Sequence, residues 1–175
     1  EGASSLTGRT KTAPEGDIDS LRFAVVSCSD YAAGYFNAYA SIVERDDVDA
    51  VIHLGDYLYE YTAVAGVDGR TVEPENEIIS LSDYRTRHSH YKLDEDLRNL
   101  HQQFPIISVW DDHESANDSW KGGAQNHNSS TEGSWENRKA SSKQAYFEWM
   151  PIRLNAEDSL RLYREIQYGD LLNLY

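Results

Sequence analysis

Asp49-Ala-Val-Ile-His-Leu54 is a short apolar run closed by Gly55, and Asp56-Tyr-Leu-Tyr-Glu60 follows it directly. A run of this length, bounded by a turn residue, reads as a buried strand. Upstream, Leu21-Arg-Phe-Ala-Val-Val-Ser27 reads the same way. Between the two, Phe36, Tyr39, Ala40 and Val43 recur at helical spacing, which predicts a helix over Tyr35–Arg45. Strand, helix and strand in so short a stretch form a βαβ unit with parallel strands.

The pattern continues downstream. Ser80-Leu-Ser-Asp83 has capping-box spacing and opens a helix expected to run to about Gln103. Pro105-Ile-Ile-Ser-Val-Trp110 is a third strand, and Trp135–Trp149 is a helix ended by Pro151. Leu160–Ile166 and Tyr168–Tyr175 have strand character. Residues 60–79 and 111–134 are long polar loops with scattered glycines. The order is β-α-β-α-β-α-β, so the fold class is α/β with a layered sheet. Strands 21–27, 49–54 and 105–110 are apolar enough to be buried on both faces.

Composition bounds the rest. The 175 residues suit one domain, and 39% apolar against 26% charged residues is a globular balance. No apolar run approaches the roughly 18 residues of a membrane-spanning helix. A single cysteine excludes an internal disulfide and a four-cysteine zinc site. Sixteen basic against thirty acidic residues give a net charge of −14. That opposes binding to nucleic acid or an anionic membrane, while surplus carboxylates suit a site that holds cations. Residues 1–20, rich in Gly, Ser, Thr and charges, read as a linker or the edge of an upstream domain, and 21–175 as the remaining domain. The chain starts at Glu1 and stops inside the apolar run 170–175, so it reads as a fragment of a longer protein.

In α/β sheets chemistry sits just beyond the carboxyl ends of the strands. After the first strand stands Ser27-Cys-Ser-Asp30; after the second, Gly55-Asp-Tyr-Leu-Tyr-Glu60; after the third, Asp111-Asp-His-Glu114, with Asn117 and Asp118 close behind. Thiol, carboxylate, phenol, imidazole and amide all reach one edge. Taken singly, Cys28 reads as a small buried hydrophobe, Asp56 as a turn residue and Tyr59 as packing. Asp-Asp-His-Glu resists that reading, because its carboxylates repel unless they are solvated or neutralised by cations. Taken together the three clusters point to a metal site. His88-Ser-His90 lies in a helix, where i and i+2 point apart, and reads as surface. Arg85, Arg87 and Lys92 read as solvated helix-face charges.

Four stretches carry a resemblance: 23–31, 53–61, Val109-Trp-Asp-Asp-His-Glu114, and Ala145-Tyr-Phe-Glu-Trp-Met-Pro-Ile-Arg153. In order and spacing the chain from about Gly8 resembles the alkaline phosphatase D (PhoD-like) family of metallophosphatases. The resemblance implies a layered, calcineurin-like α/β/β/α sandwich, of which this chain is the first half. It implies that Asp56 bridges two cations, that Fe³⁺ is bound by Cys28, Asp56 and Tyr59, and that Ca²⁺ lies alongside. Thiolate and phenolate are strongly donating ligands that suit ferric iron. Asp112 stands where the wider superfamily has the asparagine of Gly-Asn-His-Asp/Glu, and with Asn117 offers oxygens to calcium. His113 has two readings, a proton donor to a leaving oxygen or an outer partner of the site. Asp111 and Glu114 read as outer anchors.

The implied activity is hydrolysis of phosphate monoesters or diesters by metal-activated water, with export to the cell envelope or medium, as is typical of the family. Further ligands are expected after residue 175, so the chain alone should turn over poorly. The alternative is a non-catalytic metal-binding piece of the same fold. A serine hydrolase is disfavoured, since no nucleophile elbow is present.

Overall fold

The computed structural model describes residues 4, 6–64, 66–158 and 161–175. Its centre is a parallel sheet of β1 (Phe23–Val26), β2 (Ala50–His53) and β3 (Ile106–Ser108), in that order. Between β1 and β2 runs α1 (Asn37–Val43), so the expected βαβ unit is present. Val26 pairs with His53 and His53 with Ser108, which brings the three strands to an end in one row. Every chemical cluster of the sequence therefore leaves the sheet at the same edge.

The predicted helix over 80–103 is two helices, α2 (Leu81–Tyr91) and α3 (Glu95–Gln103). Asp94 explains the break: its carboxylate accepts the Leu97 N–H at 3.0 Å and caps α3. At the other end of α2 the capping box forms as read, Ser80 Oγ accepting from Asp83 N and Asp83 Oδ2 from Ser80 N. In the second long loop a short α4 (Ser129–Glu132) precedes α5 (Trp135–Trp149), which Ser134 caps. α1 packs on α3, and α2 on α5.

The last two expected strands differ from the reading. Residue 160 lies outside the described residues, and regular structure starts only at β4 (Ile166–Tyr168), which turns at Gly169 into antiparallel β5 (Leu172–Leu174). This hairpin forms its own two-stranded sheet and does not extend the parallel one. So short a connection permits only antiparallel pairing, because a parallel return needs a crossover. The fold is thus mixed α/β around a short parallel sheet.

The core is built from one face of that sheet and the helices: Val51, Ile106, Tyr39, Tyr84, Tyr91, Leu97, Leu100 and Tyr146 belong to one buried cluster. The other face is partly open, against the expectation of burial on both sides. Val25 is 59% exposed, Leu54 53% and Val109 38%. Residues 6–20 hold no regular element; Pro14 and Gly16 accept backbone hydrogen bonds from Gly169 and Asp170 of the hairpin turn. No helix among the described residues is long and apolar enough to cross a membrane.

Candidate metal centre at the strand ends

Three residues of the candidate site take left-handed backbone that side chains rarely adopt: Cys28 (φ 59°), Asp56 (φ 53°) and Asp118 (φ 50°). Each such residue costs on the order of 1–3 kcal/mol, and such costs gather at functional sites. The turns are held by their neighbours. Cys28 N–H donates to Gly55 O and Ser29 N–H to Asp56 O, which ties the loop after β1 to the loop after β2. Gly55 is required here, since a Cβ would lie 2.5 Å from Asp111 N. The loop after β3 is anchored by Glu114, whose carboxylate accepts from Tyr57 N at 2.6 Å and Asp111 N at 2.8 Å. This is the outer-anchor role read for Glu114; Asp111 itself is exposed.

Asp56 lies at the centre. Its Oδ2 accepts from Tyr59 OH at 3.2 Å and from Cys28 Sγ at 3.6 Å. Its Oδ1 is buried without a hydrogen-bond partner among the described residues. A buried oxygen left bare is costly, and a cation is the natural occupant of that position. One ligand atom each from Asp56, Asp112 and His113 also lies within 4.8 Å of the others. The donor set therefore fits cations: thiol, phenol, carboxylate and imidazole all gather around Asp56.

Electrostatics agree with the geometry. Burial raises the Asp56 carboxyl, with Asp111 and Asp112 adding to the rise against His113 and Tyr59. Burial also raises the Tyr59 phenol, and Asp56 and Cys28 push it further. Positive charge arriving nearby would favour the ionised form of both groups. His113 behaves otherwise. Burial alone would lower it, but Glu60 reverses the effect and the imidazole is raised.

Glu60 is the residue that sequence reasoning left without a role. It is fully buried, and its carboxylate accepts from His113 Nδ1 at 2.7 Å, Asn117 N at 2.6 Å and Asn126 Nδ2 at 2.7 Å. Asn117 is consequently held by its backbone, while its side-chain amide donates to Gln125 Oε1 at 2.9 Å. No hydrogen bond joins the Asn117 side chain to Asp56 or Asp112 among the described residues. Asp112 Oδ2 instead accepts from Asp118 N. The only sequence signal for Glu60 was its place directly after Tyr59 at a strand end.

Two surface readings are overturned. His88 is 1% exposed, stacked on Trp149 with its ring planes 3° apart, while His90 is half-buried against the Tyr31 ring. Arg87 is buried too, and the Lys92 amine is enclosed against Tyr57 and His101, whereas Arg85 is exposed and pairs with Glu148 at 2.6 Å. The cause is packing: α2 lies between the 59–76 loop and α5, which leaves it little solvent face.

Residues 23–175 match the family model described as PhoD-like phosphatase. The chain belongs to the PhoD-like phosphatase family. Alkaline phosphatase D of Bacillus subtilis (strain 168) is 37% identical to it over 175 residues, a match covering 95% of this chain and 30% of that protein. A solved structure of PhoD superposes with a TM-score of 0.79 at 37% identity, covering 95% of this chain and 33% of that one. The chain thus spans about a third of the length of these PhoD-like relatives.

Proposed function

We propose that this chain supplies the first part of the active site of a metal-dependent phosphoester hydrolase, acting on phosphate monoesters or diesters. Family membership supports a phosphatase. The observation that carries the metal dependence is Asp56 Oδ1, buried and without a hydrogen-bond partner among the described residues, in a carboxylate that also has Cys28, Tyr59, Asp112 and His113 around it. In this reading Cys28, Asp56 and Tyr59 hold Fe³⁺, and Asp56, Asp112 and Asn117 hold Ca²⁺. Bound there, the cations offset charge building on a phosphoryl group and acidify water.

The protein's own groups do the rest. Asp56, with two carboxylate oxygens, would contribute to both positions. His113, with Nδ1 engaged by Glu60, presents Nε2 as the group that passes a proton to the leaving oxygen. Asn117 reaches calcium only if its amide turns away from Gln125, a rotation the side chain permits because only its backbone is anchored by Glu60. The open face of the sheet supports the further reading that β1–β3 form one side of an α/β/β/α sandwich. Residues 1–20 are taken as the linker into the domain at 21–175, and the family resemblance favours export.

The test is hydrolysis of p-nitrophenyl phosphate and bis(p-nitrophenyl) phosphate by the intact gene product, before and after chelation, with metals counted by elemental analysis. Turnover that falls on chelation and returns with Fe³⁺ and Ca²⁺ is expected. Full activity in a protein stripped of both metals would overturn the reading.

A further inference from the structure

Arg87 and Tyr91 stand one turn apart on the same face of α2, and both are buried, at 1% and 0% exposure. Arg87 is a buried cation whose hydrogen bonds among the described residues all end on backbone carbonyls. Nη1 donates to Tyr59 O; Nη2 donates to Tyr61 O at 3.1 Å, Pro74 O at 2.9 Å and Asn76 O at 3.3 Å; Nε donates to Glu73 O at 3.1 Å. Tyr91 OH accepts from Tyr59 N at 3.2 Å and from Tyr31 N at 3.2 Å. The Tyr59 peptide is therefore gripped at its N–H by one side chain and at its C=O by the other.

Burying a guanidinium without a carboxylate is expensive. What the burial achieves is local: it fixes five carbonyls of the loop that leaves β2 and returns to α2. Tyr59 is only half-buried, and its ring meets His113 at a centroid distance of 4.3 Å while its hydroxyl reaches Asp56. With both peptide groups of Tyr59 immobilised, the direction of its Cα–Cβ bond is set, and the contacts with Asp56 and His113 fix the ring beyond it.

We propose that Arg87 and Tyr91 are positioning residues for Tyr59, a clamp on α2 that aims the phenol at Asp56 without touching the reacting groups. The tyrosine–iron part of this proposal rests on the function proposed above; the clamp itself rests on the hydrogen bonds.

The experiment compares Tyr91→Phe and Arg87→Lys with the unaltered protein, and with Leu97→Ala as a core control in α3. Two quantities are read: amide hydrogen exchange at Tyr31 and Tyr59 without metal, and Fe³⁺ titration followed by the visible tyrosinate band. Tyr91→Phe keeps the ring and loses only the acceptor, so both amides should exchange faster and iron affinity should fall about 10- to 100-fold, the usual cost of losing an outer support. Ca²⁺ affinity should hold, and Leu97→Ala should move neither the two amides selectively nor the band. Unchanged exchange or unchanged iron affinity in Tyr91→Phe overturns the clamp, as does an equal loss in Leu97→Ala. Should Arg87→Lys fail to fold, Tyr91→Phe alone decides. An unaltered protein that binds Fe³⁺ without a tyrosinate band refutes Tyr59 as a ligand, and the exchange measurement still judges the clamp.

Discussion

Glu60 Oε2 lies 2.7 Å from His113 Nδ1, and the carboxylate is wholly sealed from solvent. Burial alone would raise the Glu60 carboxyl, but the hydrogen bonds from His113 and Asn117 N hold it below its usual range. The ion is thus stable in place only because three donors surround it. Glu60→Ala strands the His113 and Asn117 N–H groups together and leaves the Asn126 amide with Glu77 alone. A loss of roughly 3–5 kcal/mol is expected, the range for breaking a buried charged pair from one side. Urea unfolding measures it, and a loss under about 1 kcal/mol, the scale of an exposed pair, would show the network to be dispensable.

Asp56→Asn should separate folding from metal binding. The metal-free protein loses a buried carboxylate that Asp111 and Asp112 crowd, so its melting temperature should hold or rise. Stabilisation by added Fe³⁺ and Ca²⁺ should vanish, because a neutral amide cannot bridge two cations. Thermal melts with and without metal decide this. A variant that still gains stability from both ions has its bridge elsewhere.

Tyr59→Phe should remove the tyrosinate charge-transfer band from the ferric protein, since phenylalanine has no phenolate to donate, and leave only what the Cys28 thiolate contributes. Cys28→Ser should weaken iron retention and spare calcium, as a hydroxyl donates far less than a thiolate. Both residues sit on the same oxygen of Asp56, at 3.2 Å and 3.6 Å, so their losses should not add. Full colour in the tyrosine variant would reassign the ligand.

The strand ends were legible because an apolar run that stops at Gly55 or Trp110 leaves few other readings for the polar residues just beyond it. Cys28, Asp56, Tyr59, Asp112 and His113 accordingly lie where the sequence placed them, at one edge. The start of α2 was legible in its capping box, but its buried face was not. Leu81-Ser-Asp-Tyr-Arg-Thr-Arg-His-Ser-His-Tyr91 has no apolar stripe, so its buried face is one of arginine, histidine and tyrosine chosen by the loop and helix around it. The break at Asp94 was hidden for a similar reason: a helix-compatible spacing ran straight through a residue better used as a cap. The hairpin at 166–174 was seen as strands, but not as a sheet apart, because pairing partners are not written in apolar runs.

Buried bases and phenols give the metal-free protein an alkaline stability maximum. Burial, with Lys92 adding to it, lowers His88 from 6.5 to about 3 and His53 from 6.5 to about 4. The unfolded chain therefore binds more protons below pH 6.5, and stability falls as pH drops from there. Glu114, raised by burial from 4.5 to about 7, works the other way between those two values and blunts the effect. Above pH 7 Lys92 dominates. Burial lowers its amine from 10.5 to about 7, so the unfolded state holds the extra proton between these values and stability climbs with pH. Past pH 10 the buried phenols Tyr57, Tyr91 and Tyr146, all raised chiefly by burial, keep protons that the unfolded chain releases, and stability falls again. Lys92→Met tests the assignment cleanly, because Tyr57 OH and His101 Nε2, 2.9 Å apart, still satisfy each other. The variant should lose the rise between pH 7 and 10 in urea unfolding while keeping the acid limb. The same rise in the variant as in the unaltered protein would mean that Lys92 is already charged in the fold and that another group sets the alkaline limb.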